Sequence, residues 1–336
     1  MRAPMSERAQ PEERAGHAGK ITLGVLLGLA CYAAFGALTG GLDETLAALR
    51  GVPMTLVAAA CGLSFVNYLV RFPRWERYRS LVGVELSRGR SLLIYLAGLS
   101  LTVTPGKVGE AYKSVLIRQH EGTAIHKTAP IVLAERVTDL LGFLILILGF
   151  SLAGGLGLDW IFWTAAGACL LICVAVTSPA FSALLVKLAR ALPGGGWLAP
   201  KLKGALSSSK TLLAPRELTS ANLLAALGWG LECLACWLLA RHFAPEVSLA
   251  LCGHAFAVAA VAGAVVIFTP GGLGVTEASL YALLLAALGA EGLGESAGAA
   301  AAATVVLLAR LSTLWFAVVV GVVATALTAR LEPRRV

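Results

Sequence analysis

Six apolar runs, near residues 21–40, 54–71, 128–150, 161–178, 221–241 and 298–326, set the terms for this chain. A bilayer's hydrocarbon slab is about 30 Å thick and takes about 17–25 helical residues to cross. Inside it no water meets a bare N–H or C=O, so each spanning segment must close its own hydrogen bonds. An all-α polytopic membrane protein with about six full transmembrane helices follows. Charge content agrees: 14% of residues are charged and 58% hydrophobic, and mean hydropathy is +0.81. Soluble domains carry about a quarter charged residues.

Three further apolar stretches, near 91–104, 247–268 and 273–289, flank a motif that occurs twice. Thr104-Pro105-Gly106-Lys107-Val108-Gly109-Glu110 returns as Thr269-Pro270-Gly271-Gly272-Leu273-Gly274, with Glu277 closing the second copy. A second echo follows each copy: Ala134-Glu135-Arg136-Val137 aligns with Leu308-Ala309-Arg310-Leu311. Paired interruptions at matching places in two hydrophobic halves point to a site at a repeat interface.

Pro suits the second position of a tight turn and Gly the third, where positive φ is needed. An acid just after such a turn meets the positive end of a helix dipole. Two readings stand. These are surface turns between helices, or they are tips of re-entrant hairpins, where bare backbone is buried in protein or lines a wet cavity. The duplication favours the second, with tips at Pro105, Gly106 and Gly109 and at Pro270, Gly271, Gly272 and Gly274.

Basic loops mark the cytoplasmic side. Residues 1–20 read as a disordered cytoplasmic tail. The loops 71–90 and 179–217 are basic, while 41–52 is slightly acidic. Following these signs, the unit 91–121 enters and leaves from the cytoplasm. The region 242–296 has no Lys or Arg and enters and leaves from outside. The expected architecture is two inverted-topology repeats, about 54–150 and 221–326, with two opposed re-entrant helical hairpins. Residues 21–330 form one transmembrane domain in the inner membrane, with both termini cytoplasmic and a basic linker at 179–217.

Glu135, Arg136 and Asp139 interrupt an otherwise apolar run. Each charge at the centre of a span costs about 2.5–3.5 kcal/mol, so the three need partners or water. Arg136 and Asp139 are spaced to pair. Arg310 has no local acid, and Glu277 or Glu110 across the pseudo-axis is its expected partner. A guanidinium grips phosphate with two parallel donors, so the arginine of each repeat is the prime ligand contact. Lys107 stands nearest the first tip. Lys113 joins the site or snorkels at the interface with Arg118. Asn67 and Arg71 lie one turn apart, with Arg74 and Trp75 beyond as a headgroup-level belt. Glu232 is a buried acid, either protonated for packing or part of a proton path. The alternative for the whole cluster is a set of salt bridges that locks helices together.

Seven cysteines all fall in apolar runs, which argues against a disulfide framework. Cys233-x-x-Cys236 has no second pair and reads as packing. The histidines are scattered, so neither a metal nor a cofactor is expected. The formal charge of +8 resides in loops facing anionic inner-leaflet lipid, and nucleic acid is not an expected partner. The small-residue run 297–303 allows packing within the chain or in a homo-oligomer.

Taken together, Asn67-x-x-x-Arg71-x-x-Arg74-Trp75, Pro105-Gly106-Lys107-x-Gly109-Glu110, Glu135-Arg136-x-x-Asp139 and Pro270-Gly271-Gly272-x-Gly274-x-x-Glu277 resemble the lysylphosphatidylglycerol synthase transmembrane-region family. This flippase-like group includes the membrane half of the multiple peptide resistance factor. The resemblance spans roughly 20–330 and implies a translocator of a phospholipid or a polyprenyl-phosphate carrier, with the named residues along the headgroup path. A large soluble catalytic domain has no room here, so the lipid is expected to be made elsewhere. The rival is an intramembrane phosphatase or transferase acting on a polyprenyl phosphate. In undecaprenyl-pyrophosphate phosphatases a serine and an arginine follow the Pro-Gly core directly. Here neither copy supplies such a nucleophile.

Overall fold

The computed structural model describes residues 42–104, 108–158, 160–191, 195–266, 269 and 271–330. The expected tail 1–20, the expected span 21–40 and the tip residues Pro105, Gly106, Lys107 and Pro270 lie outside them. In order come α1 (Leu42–Gly51), α2 (Met54–Leu81) and α3 (Arg88–Ala97), then short 3-10 turns at Gly98–Leu101 and Val108–Ala111. There follow α4 (Tyr112–Glu121), α5 (Ile125–Gly154), α6 (Trp160–Thr177), α7 (Pro179–Ala191) and α8 (Gly195–Leu212). The last elements are α9 (Pro215–Arg241), α10 (Leu249–Val265), α11 (Val275–Ala290), α12 (Glu295–Arg310) and α13 (Phe316–Thr328).

Four spans among the described residues are long and apolar enough to cross a membrane: α2, α5, α9 and the composite Glu295–Thr328. A fifth exists if α6 and α7, bent by 76° between Ala175 and Pro179, count as one. The composite span joins α12 to α13 through a wide π turn at Leu311–Trp315, immediately after Arg310. Such widened turns recur at functional sites. α9 begins with Pro215, whose missing N–H is an orphan in any first turn. α5 ends on Gly155 in the left-handed conformation. By contrast α3 and α4 have ten residues each, about 15 Å of helix. That is too short to cross.

Two expectations need correction. The second span does not stop near residue 71. It runs on to Leu81 with Pro73 inside, so Arg71 and Arg74 are buried helix residues instead of loop charges. An internal proline removes one helical hydrogen bond, and here the helix continues across it. Trp75 is 1% exposed and donates to Ser91 Oγ at 3.0 Å, so it is no headgroup belt. The linkers are also helical. Residues 41–52 hold α1, and 179–217 hold α7 and α8. Burial drives this: Leu212 and Leu213 enter the core, and α8 packs along α5.

Packing between the halves is reciprocal. α2 lies against α9, α3 lies against α13, and α5 lies against α10. The two arms of each interrupted unit also touch, α3 with α4 and α10 with α11. Three apolar clusters result. One gathers Phe143, Ile147, Leu239, Phe256, Leu284 and Val305. A second gathers Tyr68, Trp75, Tyr78, Tyr95, Ile117 and Ile131. The small third joins Val103, Leu273, Leu314 and Val318, which ties the flanks of the two Pro-Gly chain breaks, between α3 and α4 and between α10 and α11, to the π turn. Outside, Phe65, Ile145, Leu152, Leu223 and Val323 are exposed. In water such a surface is an aggregation liability; around a membrane bundle it is the lipid boundary.

Candidate functional site

Asn67, Asp139, Gly228 and Leu311 mark the middle of the four spans. Around that level lies a cavity of about 300 Å³ where the three apolar clusters meet. Both chain breaks reach it. A Cβ placed on Gly271 would sit 3.2 Å from Val103 Cα and 3.4 Å from the carbonyl oxygen of Thr102, so the second break backs directly onto the first. Gly271, Gly272 and Gly274 all have positive φ, which explains glycine at three of four successive positions.

Asp139 gathers three arginines. Its carboxylate accepts from Arg74 Nη1 at 2.8 Å and from Arg71 Nη1 at 3.3 Å, and Arg136 Nη2 stands 3.5 Å away. Arg74 also donates to Thr138 Oγ1 at 2.9 Å. Arg71 lies over the Trp229 ring, 4.3 Å from its centroid. One turn earlier, Asn67 Nδ2 donates to Glu232 Oε1 at 2.6 Å. Gly228 makes that crossing possible: a Cβ there would sit 2.6 Å from Asn67 Oδ1.

Lys113 pairs with Glu135 beneath the Trp75 ring, 4.8 Å from its centroid. It is buried, so the snorkelling alternative fails. Its stem fills the space left by Gly98, where a Cβ would lie 2.5 Å from Lys113 Cγ. Arg136 Nη2 also meets Glu110 Oε2 at 2.5 Å. Arg310 meets Glu277, which also accepts from the N–H of Gly274 at 2.7 Å. That second bond caps α11, as an acid at a helix start should. Thus each half joins the glutamate after its chain break to the arginine of its following span.

Of the site residues expected from sequence, Arg71, Glu110, Lys113, Glu135, Arg136, Asp139 and Arg310 line the cavity. Asn67 and Glu277 stand one layer behind, holding Glu232 and Arg310. Lys107 lies outside the described residues. Sequence reasoning gave Arg74 only a belt role, and its spacing from Arg71 on one helix face was the available signal. Tyr68, Tyr95, Phe143, Trp229 and Phe256 add an aromatic wall that long-range packing alone creates.

The formal charges cancel. Five cations (Arg71, Arg74, Lys113, Arg136, Arg310) face five acids (Glu110, Glu135, Asp139, Glu232, Glu277). Unmet donors remain: among the described residues, the Nε–H groups of Arg71, Arg74 and Arg136 and the indole N–H of Trp229 are buried without an acceptor. A buried unpaired donor costs about 1–3 kcal/mol. Arg136 is the most open of the five cations, with 27% of its side chain exposed against 2–10% for the other four. Of the lining hydroxyls, those of Tyr68, Thr102, Thr269 and Thr313 each donate to a backbone carbonyl. None of these four is bonded to a carboxylate that would activate it. No group of three or more metal-ligand side chains occurs among the described residues.

Comparison with known families gives a match. The model described as the lysylphosphatidylglycerol synthase TM region covers residues 21–321. No curated protein matches the chain significantly.

Proposed function

The chain belongs to the lysylphosphatidylglycerol synthase TM-region family, and from that premise we propose that it carries a phosphate-bearing lipid between leaflets. Membership points to modification or translocation of membrane lipids. The observation that carries translocation is the mid-span cavity, where two chain breaks and five cations converge and four lining residues keep an unmet N–H donor buried in the wall. Phosphate oxygens are strong acceptors for such donors. The aromatic and aliphatic remainder of the lining suits the start of an acyl or prenyl chain.

The reciprocal packing supports reading 54–150 and 221–326 as inverted repeats whose interrupted units are opposed re-entrant hairpins. On this reading Glu110 and Glu277 hold Arg136 and Arg310 while the cavity is empty. An arriving phosphate takes over the arginine, and the released glutamate frees its chain break to move. Each swap trades one charge-assisted bond for another, so the buried arginine is never left bare. The basic loops support the reading that both termini are cytoplasmic and that the membrane is an inner one.

The test is headgroup accessibility in proteoliposomes holding a fluorescent anionic phospholipid or a polyprenyl phosphate. Wild-type protein exposes the label to an external quencher, and the Arg136→Ala/Arg310→Ala double variant does so at the protein-free rate. Equal rates for the two proteins would overturn the reading.

A further inference from the structure

Residues 179–212 carry chemistry that the cavity does not use. α7 leaves the α6 direction at 76°. Phe181, Leu184 and Leu188 share one stripe of it and are 40%, 50% and 55% exposed. Lys187 flanks that stripe and Arg190 lies on the far side of the helix, both exposed. On α8, Trp197 is largely exposed, and Lys201 Nζ lies 3.3 Å from its ring centroid. Lys203 and Lys210 are exposed further along. Between Asp159 and Glu217 the sequence holds no acid at all.

The arm is fixed to one end of the bundle. Gly204 backs onto His126 in the first turn of α5, where a Cβ would lie 3.0 Å from the ring. Just past α8, Glu217 accepts both Arg77 Nε at 2.9 Å and Arg77 Nη2 at 2.7 Å. This is the end where α2 stops and α3 starts, with Arg79, Arg88 and Arg90. Water would leave the Phe and Leu stripe wet, and hydrocarbon would strip the Lys and Arg heads. A bilayer surface satisfies both demands, and a steep bend from a span turns a helix toward that plane.

We propose that α7 and α8 form an arm lying in the surface of the anionic leaflet. The Phe181, Leu184 and Leu188 stripe sits among acyl chains, and Lys187, Arg190, Lys201 and Lys203 bind phosphate headgroups. The attraction is electrostatic and screened by salt. It stands independently of the translocation reading.

The experiment uses the full chain in nanodiscs of phosphatidylcholine and phosphatidylglycerol, with bromine on one lipid or the other. Subtracting the emission of a Trp197→Phe variant isolates Trp197. Brominated phosphatidylglycerol should quench it in excess of its mole fraction by about fivefold, the weight of one basic residue at a charged surface. High salt, or Lys187→Glu/Arg190→Glu/Lys203→Glu, should remove that excess. Equal quenching by both lipids in wild-type protein overturns the proposal. So does the absence of quenching by either, which would mean that another protein surface covers the arm.

Discussion

Glu277 Oε1 accepts Nε–H of Arg310 at 2.6 Å, and this one bond ties the start of α11 to the middle of the composite span. Both partners are buried, at 2% and 10% side-chain exposure. Removing one strands the other, at about 3–5 kcal/mol. Arg310→Ala should therefore lower stability in detergent by that order, read by thermal melting or denaturant titration. Removing both should cost less than Arg310→Ala alone, since no bare charge remains. Simple addition of the two single losses would deny the coupling.

Asp139 restrains three arginines at once. Asp139→Asn should raise the positive character of the cavity while weakening its frame. A soluble short-chain phosphatidic acid should bind more tightly, by up to about tenfold for about 1.4 kcal/mol, while the melting temperature falls. Titration followed by calorimetry decides it. Weaker binding alongside lower stability would show that Asp139 serves the ligand by aiming the arginines.

Glycine contacts give a graded series. Gly228→Ala drives a methyl into Asn67 and the stem of Arg71, where a Cβ would sit 2.9 Å from Arg71 Cγ. Overpacking of this kind costs about 1–3 kcal/mol. Gly321→Ala should cost more, because its nearest neighbour is backbone: Ser100 N would lie 2.1 Å from the new carbon. Gly149→Ala meets nothing within 4 Å and should stabilise α5 slightly. The predicted order of melting temperatures is Gly149→Ala, then Gly228→Ala, then Gly321→Ala. Any other order would mean that these close approaches relax freely.

Thr102 separates translocation from its enzymatic rival. Its hydroxyl already donates to the Leu99 carbonyl at 2.8 Å. Thr102→Val should leave lipid movement intact, and the purified protein should release no phosphate from a radiolabelled polyprenyl phosphate. Phosphate release that disappears in Thr102→Val would establish a nucleophile and overturn the carrier reading.

Much of the bundle was legible because lipid imposes a blunt code. Long apolar runs must be helices, and α5, α9 and the composite span follow the runs to within several residues. The duplicated motif offered Glu277 or Glu110 as the partner of Arg310, and the bond goes to Glu277. What stayed hidden was long-range. Nothing local tells that Arg71 and Arg74 turn inward, because an arginine at the end of an apolar run normally marks the water boundary. Asp139, 65 or more residues away, makes their burial tolerable, helped by Thr138 and the Trp229 ring. Lys113 stayed open between two readings for the same reason, since its partner Glu135 and its ring Trp75 lie on other helices. Helical order in 179–191 and 195–212 was masked by charge, which reads as loop when burial of Leu212 is unknown.

The seating of Gly271 against Thr102 and Val103 has a mechanical consequence. With no side chain between them, the two interruptions share a single bearing surface. Lifting one requires it to slide along the other, so the halves cannot yield separately. On the proposed translocation reading, such a bearing would resist being pried open toward both aqueous spaces at once and would keep the carrier from becoming a leak.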